Sequence, residues 1–219
     1  MWRWIALALV AIAVVVFGFS LIDSSGGEGV SASAQFASVR GDSSGYARAI
    51  DPYDWQFPAD FGAHPDFQTE WWYYTGNLAD ENGRRFGFQF TIFRRALAPE
   101  IVETESEWRT GQVYLAYFTV SDIEGKQFYH AQRFSRGGAG LAGATIEPRY
   151  RVWLENWSVQ AQDEEASQTT ITADAGDFAV NLSLQQTKPP ALQGENGLSP
   201  KSGEAGNASY YYSLTRLLT

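Results

Sequence analysis

From residue 70 onward the chain is written in short runs of alternating or wholly apolar residues, each closed by turn chemistry. A period of two sends successive side chains to opposite faces of a strand, whereas a helix needs apolar positions three and four apart. The runs lie at 70–78, 85–94, 112–122, 126–134, 150–154, 157–161, 169–174, 178–186 and 209–218. Asp80-Glu81-Asn82-Gly83 separates the first two, and Asn-Gly is the strongest short hairpin signal. Glu155-Asn156 and Ala175-Gly176-Asp177 separate later pairs, while the Gly-rich stretch 137–143 and the Pro/Gly-rich stretch 188–207 read as loops. Short strands joined mainly by hairpins predict an all-β fold, an antiparallel barrel or sandwich. Trp72, Phe88, Phe90, Leu115, Tyr117, Val180 and Leu182 are its expected core. The run 112–122 is apolar on both faces, so something is expected to pack on its outer side too.

Composition removes several function classes. The 219 residues contain no Cys and two His, which leaves no thiol nucleophile, no Cys-based metal site and no multi-histidine cage. Sixteen basic against 25 acidic residues give a net charge of −9, which argues against nucleic acid as a partner. No Gly-x-Ser-x-Gly elbow and no Gly-rich phosphate loop after a strand occur, so neither a serine hydrolase nor a nucleotide site is expected. No metal and no cofactor is expected. The excess is aromatic, 15% of the chain, as suits a sheet core or a pocket for a long apolar ligand.

Residues 5–22 are apolar apart from Ser20 and Gly18, and follow Arg3. That length and charge predict an apolar helix that is either a signal peptide or a membrane anchor over 1–24, with the remainder exported to the periplasm or the cell exterior. Residues 25–50, rich in Ser, Gly and Ala, read as a flexible linker, and 51–219 as the folded domain. The chain stops within an apolar run, at Leu217-Leu218-Thr219, as a piece of a longer protein would.

The densest segment is His64-Pro65-Asp66-Phe67-Gln68-Thr69-Glu70-Trp71-Trp72-Tyr73-Tyr74-Thr75-Gly76-Asn77-Leu78, continuing as Gly87-Phe88-Gln89-Phe90-Thr91-Ile92-Phe93-Arg94. It resembles the carotenoid 1,2-hydratase (hydroxyneurosporene synthase-like) and predicted secreted hydrolase family, as does Asn207-Ala208-Ser209-Tyr210-Tyr211-Tyr212 further on. The resemblance implies a lipocalin-like antiparallel barrel, the first of a tandem pair whose second member is missing here. It also implies a long apolar isoprenoid, carotenoid or lipid as ligand, no cofactor, and water addition to a carbon–carbon double bond, with the acid expected in the second half. A membrane transporter component is a further partner that it suggests. Two other roles stay open beside the enzymatic one, a lipid carrier at the cell envelope and a structural half that supports a catalytic barrel.

Hydrating an isolated alkene needs a strong acid, a surface that tolerates a carbocation, and a placed water. Glu70 beside Trp71, Trp72, Tyr73 and Tyr74 has the residue types for this, because a buried carboxylic acid can donate and aromatic faces can steady a cation. The competing reading pairs Glu70 with Arg94 or Arg95. Alternation puts Glu70, Trp72 and Tyr74 on one face and Trp71 and Tyr73 on the other. His64 is the second catalytic candidate, as a base or a water-orienting group, against a capping role. Phe88 and Phe90 complete the expected substrate-binding set.

Overall fold

The computed structural model describes residues 43–100, 105–215 and 217–219, and apart from two three-residue 3-10 turns every regular element there is a strand. The apolar segment 1–24 and most of the linker 25–50 lie outside the described residues. Among the described residues no helix is long and apolar enough to cross a membrane.

The first sheet is an antiparallel meander of β1 (Thr69–Ala79), β2 (Arg85–Ala96), β3 (Gln112–Asp122) and β4 (Gln127–Arg136). Its first turn follows from local chemistry. Gly83 takes a φ of 83°, open to glycine at little cost, and Asp80 Oδ1 accepts the amides of Asn82 and Arg84, each at 2.9 Å. The second sheet runs β5 (Ala142–Thr145), β6 (Arg151–Leu154), β7 (Trp157–Ala161), β8 (Gln168–Asp174) and β9 (Ala179–Gln186). After β9 come four short strands, β10 (Ala191–Leu192), β11 (Leu198–Pro200), β12 (Ala208–Tyr210) and β13 (Tyr212–Ser213). They form the small ladders β10–β13 and β11–β12, and β14 (Leu217–Leu218) then joins the free edge of β9.

The fold is therefore all-β, antiparallel and lipocalin-like, with the two main sheets closing over one core. Trp157 lies at its centre and is fully buried. Phe90 and Phe118 meet it edge-to-face at 6.3 and 5.8 Å, and the Arg133 guanidinium covers the ring at 4.3 Å. Trp72, Phe88, Phe90 and Leu115 are buried as expected, but Tyr117, Val180 and Leu182 are only half-buried. Tyr117 is on the outer face of β3, edge-on to Phe93. Val180 and Leu182 lie on the stretch of β9 that β14 does not reach, since β14 pairs only with Gln185 and Gln186. The double-sided run holds: Val113 and Leu115 on one face of β3 and Ala116 and Phe118 on the other are all buried.

Three local expectations change. The Gly-rich loop contains β5, whose Gly143 pairs with Trp153; a Cβ there would stand 2.5 Å from the indole, so glycine is what lets the ring cover the strand. The expected final strand 209–218 is broken, because the Tyr211 amide donates to Gly197 O at 2.8 Å and draws the chain into the neighbouring hairpin. The end of the expected linker is already part of the domain: Ala49 is buried and the Ala47 amide donates to Asp66 O at 2.9 Å.

Candidate functional site

β1 is an edge strand, with β2 as its single ladder partner among the described residues. Opposite its open edge runs the segment that carries β12 and β13, and between them lies a cavity of about 870 Å³. Aromatic rings stand along its wall, from Tyr53, Trp55, Phe61, Trp72, Tyr74 and Tyr150, with Tyr210 and Tyr212 from the later segment, among smaller and polar residues. Alternation along β1 aims Glu70, Trp72 and Tyr74 inward. Trp72 is fixed by its indole N–H, which donates to Phe61 O at 2.9 Å.

One charged cluster stands in this wall. The short 3-10 turn Ala59–Phe61 places Asp60 four residues before His64, and His64 Nε2 lies 3.0 Å from Asp60 Oδ1. His64 Nδ1 lies 2.5 Å from Glu70 Oε1. The His64 backbone amide also donates to both Glu70 oxygens, at 3.1 and 3.0 Å. Glu70 is directly across the ladder from Arg94, whose Nε donates to Glu70 Oε2 at 3.0 Å. Arg94 is 1% exposed, and its remaining donors go to Gln112 Oε1 at 2.8 Å, His64 O at 2.8 Å and Phe67 O at 2.7 Å. Asp60 in turn accepts from the Gln56 amide and from the Tyr53 hydroxyl at 3.3 Å. Two cations and two anions thus balance, which is how charge persists in a low-dielectric wall. The hydrogen bond to Glu70 raises the His64 pKa, desolvation opposes it, and Asp60 adds to the rise. With a carboxylate at each ring nitrogen, the imidazolium is the favoured form.

Deeper along the same face the Tyr74 and Tyr150 hydroxyls meet at 3.1 Å. Burial pushes the Tyr74 hydroxyl up to about 12 and Tyr150 further above its ordinary value, so both stay protonated.

The structure brings His64 and Glu70 into contact and settles which arginine Glu70 takes. It is Arg94, because Arg95 lies on the opposite face of β2 and donates to Thr69 Oγ1. Both Glu70 oxygens are engaged, so the arrangement presents no carboxylic proton to the cavity. Trp72 and Tyr74 line the cavity from the inward face, and Trp71 and Tyr73 border it too. Trp71 and Tyr73 belong to the other face of β1, 36% and 50% exposed, with Trp71 against Tyr211 at the rim. Phe88 and Phe90 do not line it: Phe90 is packed on Phe118 and Trp157, and Phe88 lies beneath Gly76. The inner side of β2 at that level faces the second sheet, which fills the space. Asp60, Tyr53, Trp55, Tyr150 and Tyr212 join the site without having been expected there. The i,i+4 spacing of Asp60 and His64 was a readable signal; Tyr150 had none, because it arrives from the other sheet. Among the described residues no group of three or more His, Cys, Asp or Glu is placed to hold a metal ion.

Fold and site together define a lipocalin-like β domain with an aromatic cavity and one internally balanced charged cluster. Residues 48–219 match the AttH-like family, and the chain belongs to it. A solved structure of a protein assigned as AttH from Nitrosomonas europaea is similar, with 33% sequence identity and a TM-score of 0.63 over 76% of this chain and 48% of that one. The chain therefore spans about half the length of that relative. None of the functionally curated proteins matches the sequence.

Proposed function

We propose that the domain binds a long apolar isoprenoid, carotenoid or related lipid in the aromatic cavity and, as one half of a longer hydratase-like protein, presents it for addition of water to a carbon–carbon double bond. The observation that carries this reading is a cavity of about 870 Å³ lined in part by aromatic rings and holding a charge-balanced cluster. Such a volume suits a ligand of drug size or above. Electron-rich faces of Trp55, Trp72 and Tyr212 favour an apolar chain and a cation that develops on it. Water addition is a balanced step: one alkene carbon gains a proton, the other gains the water oxygen, and the water releases a proton.

In this reading Glu70 and His64 position rather than protonate. Glu70 has both oxygens occupied, and a raised pKa makes His64 a weaker acid than an ordinary histidine. The acid then belongs to the partner half of the longer protein, as the resemblance to carotenoid hydratases implies. The domain acts after export, at the cell envelope, with segment 1–24 as its route or its membrane anchor.

A second reading is lipid carriage at the envelope in the service of a membrane transporter, favoured by the same self-satisfied cluster. One titration separates them. The chain in detergent micelles is titrated with a linear carotene while tryptophan fluorescence is followed, and then incubated in ¹⁸O-water. Binding is expected, weakened about tenfold by Trp55→Ala or Tyr212→Ala. Oxygen incorporation is expected in a two-domain relative and not in this chain. Absence of binding overturns both readings. Incorporation by this chain alone moves the acid into this domain, and a two-domain relative that binds without incorporation leaves carriage.

A further inference from the structure

We infer that the ligand of this cavity carries a neutral oxygen, a hydroxyl or carbonyl, and that the hydroxyls of Tyr74 and Tyr150 receive it. The inference rests on the lipid-binding reading above and narrows its substrate class from pure hydrocarbons to oxygenated apolar molecules.

The argument is a count of hydrogens. The two phenol groups carry two O–H hydrogens, and their mutual bond at 3.1 Å uses one. Among the described residues no acceptor is bonded to the other, so the pair offers the cavity one donor together with free lone pairs. Both rings line the cavity, and Tyr150 is only 3% exposed. The pair is a built feature: Tyr74 comes from β1 of the first sheet and Tyr150 from the residue before β6 of the second. The neighbouring donor, the Trp72 indole, is already committed to Phe61 O.

The charge of the ligand group follows from the cluster around Glu70, four residues earlier on the same face. Asp60, Glu70, His64 and Arg94 neutralise one another, so this cluster leaves no cation beside the tyrosines to hold a carboxylate, and the cavity's other cation, Arg48, donates to Ala205 O. The Glu70 carboxylate also acts on Tyr150 at a distance and favours a neutral neighbour. Four residues of strand separate Glu70 from Tyr74, about 13 Å, so a ligand oxygen on the tyrosines leaves its apolar chain beside Trp72 and the aromatic wall. A hydroxyl uses both the free hydrogen and a lone pair of the pair, a carbonyl uses the hydrogen, and a hydrocarbon strands it.

A matched set of C15 isoprenoids tests this on the full chain in detergent micelles, read by tryptophan fluorescence. Farnesol should bind about tenfold or more tighter than β-farnesene, because an unmet buried donor is the difference between them. Farnesoic acid, ionised, should bind more weakly than farnesol. The double variant Tyr74→Phe/Tyr150→Phe should bring farnesol and β-farnesene to within about twofold of one another. Each single variant should retain the preference, since the remaining phenol keeps its hydrogen. Equal binding of farnesol and β-farnesene by the parent overturns the inference and leaves the lipid-binding reading intact. Tightest binding of farnesoic acid overturns the neutral-oxygen assignment. Binding of none of the three overturns both. The comparison on the parent decides the matter even if the double variant does not fold.

Discussion

Replacing Arg94 by Met keeps an unbranched stem of similar reach and deletes the guanidinium. Arg94 is 1% exposed and donates to four acceptors, Glu70 Oε2, Gln112 Oε1, His64 O and Phe67 O. The variant strands Phe67 O, leaves His64 O with the Phe67 amide alone, and leaves the Glu70 carboxylate with His64 as its remaining side-chain partner. Breaking a buried ion pair from one side costs about 3–5 kcal/mol, much of it the penalty of the unpaired charge left behind. For a domain of this size each kcal/mol moves the melting midpoint by about 2–4 °C, so a fall of roughly 6–20 °C is expected. Urea unfolding followed by circular dichroism measures it, with an unchanged slope showing that the native and unfolded states keep their surface areas. Glu70→Gln should cost less, because a neutral amide leaves no uncompensated negative charge. Arg94→Met combined with Glu70→Leu should cost less than the sum of the two singles, since neither ion is then stranded. An Arg94→Met variant within about 1 kcal/mol of the parent would refute the reasoning and show that the cluster is solvated through the cavity.

The His64 pKa is raised by Glu70 and Asp60, so its contribution to stability is full below its unfolded value of 6.5 and is lost as pH rises through the higher folded value. Melting midpoints should therefore fall as pH rises above about 6.5, and His64→Gln should flatten that slope; an unchanged slope would remove the imidazolium from the cluster. Trp72→Ala should cost about 3–5 kcal/mol by chemical denaturation, because the indole is 6% exposed and its N–H is bonded to Phe61 O. Gly76→Ala should cost about 1–3 kcal/mol, since its Cβ would stand 2.9 Å from the buried Phe88 ring; a neutral effect would mean that the ring shifts freely.

Strand positions were legible because a period of two is a local property of consecutive residues. The expected bounds of β3 and β7 are those observed, and the Asp80–Gly83 turn is specified by side chains within five residues. The inward face of β1 was legible for the same reason, and with it Glu70, Trp72 and Tyr74. The partner of Glu70 was not. Arg94 and Arg95 are adjacent in sequence, and only the β1–β2 register sets Arg94 opposite Glu70 and sends Arg95 to the other face. Phe88 and Phe90 share β2's inward face with Arg94, yet they became core because the second sheet packs on that face, with Trp157 against Phe90. Tyr150 reached Tyr74 across 76 residues of chain, a contact that no spacing announces. What the sequence determined by itself was which residues turn inward, since pleating is decided by neighbours along the chain. Which of those residues meet water, core or cavity was decided by the packing of one sheet on another, because burial depends on atoms from distant parts of the chain.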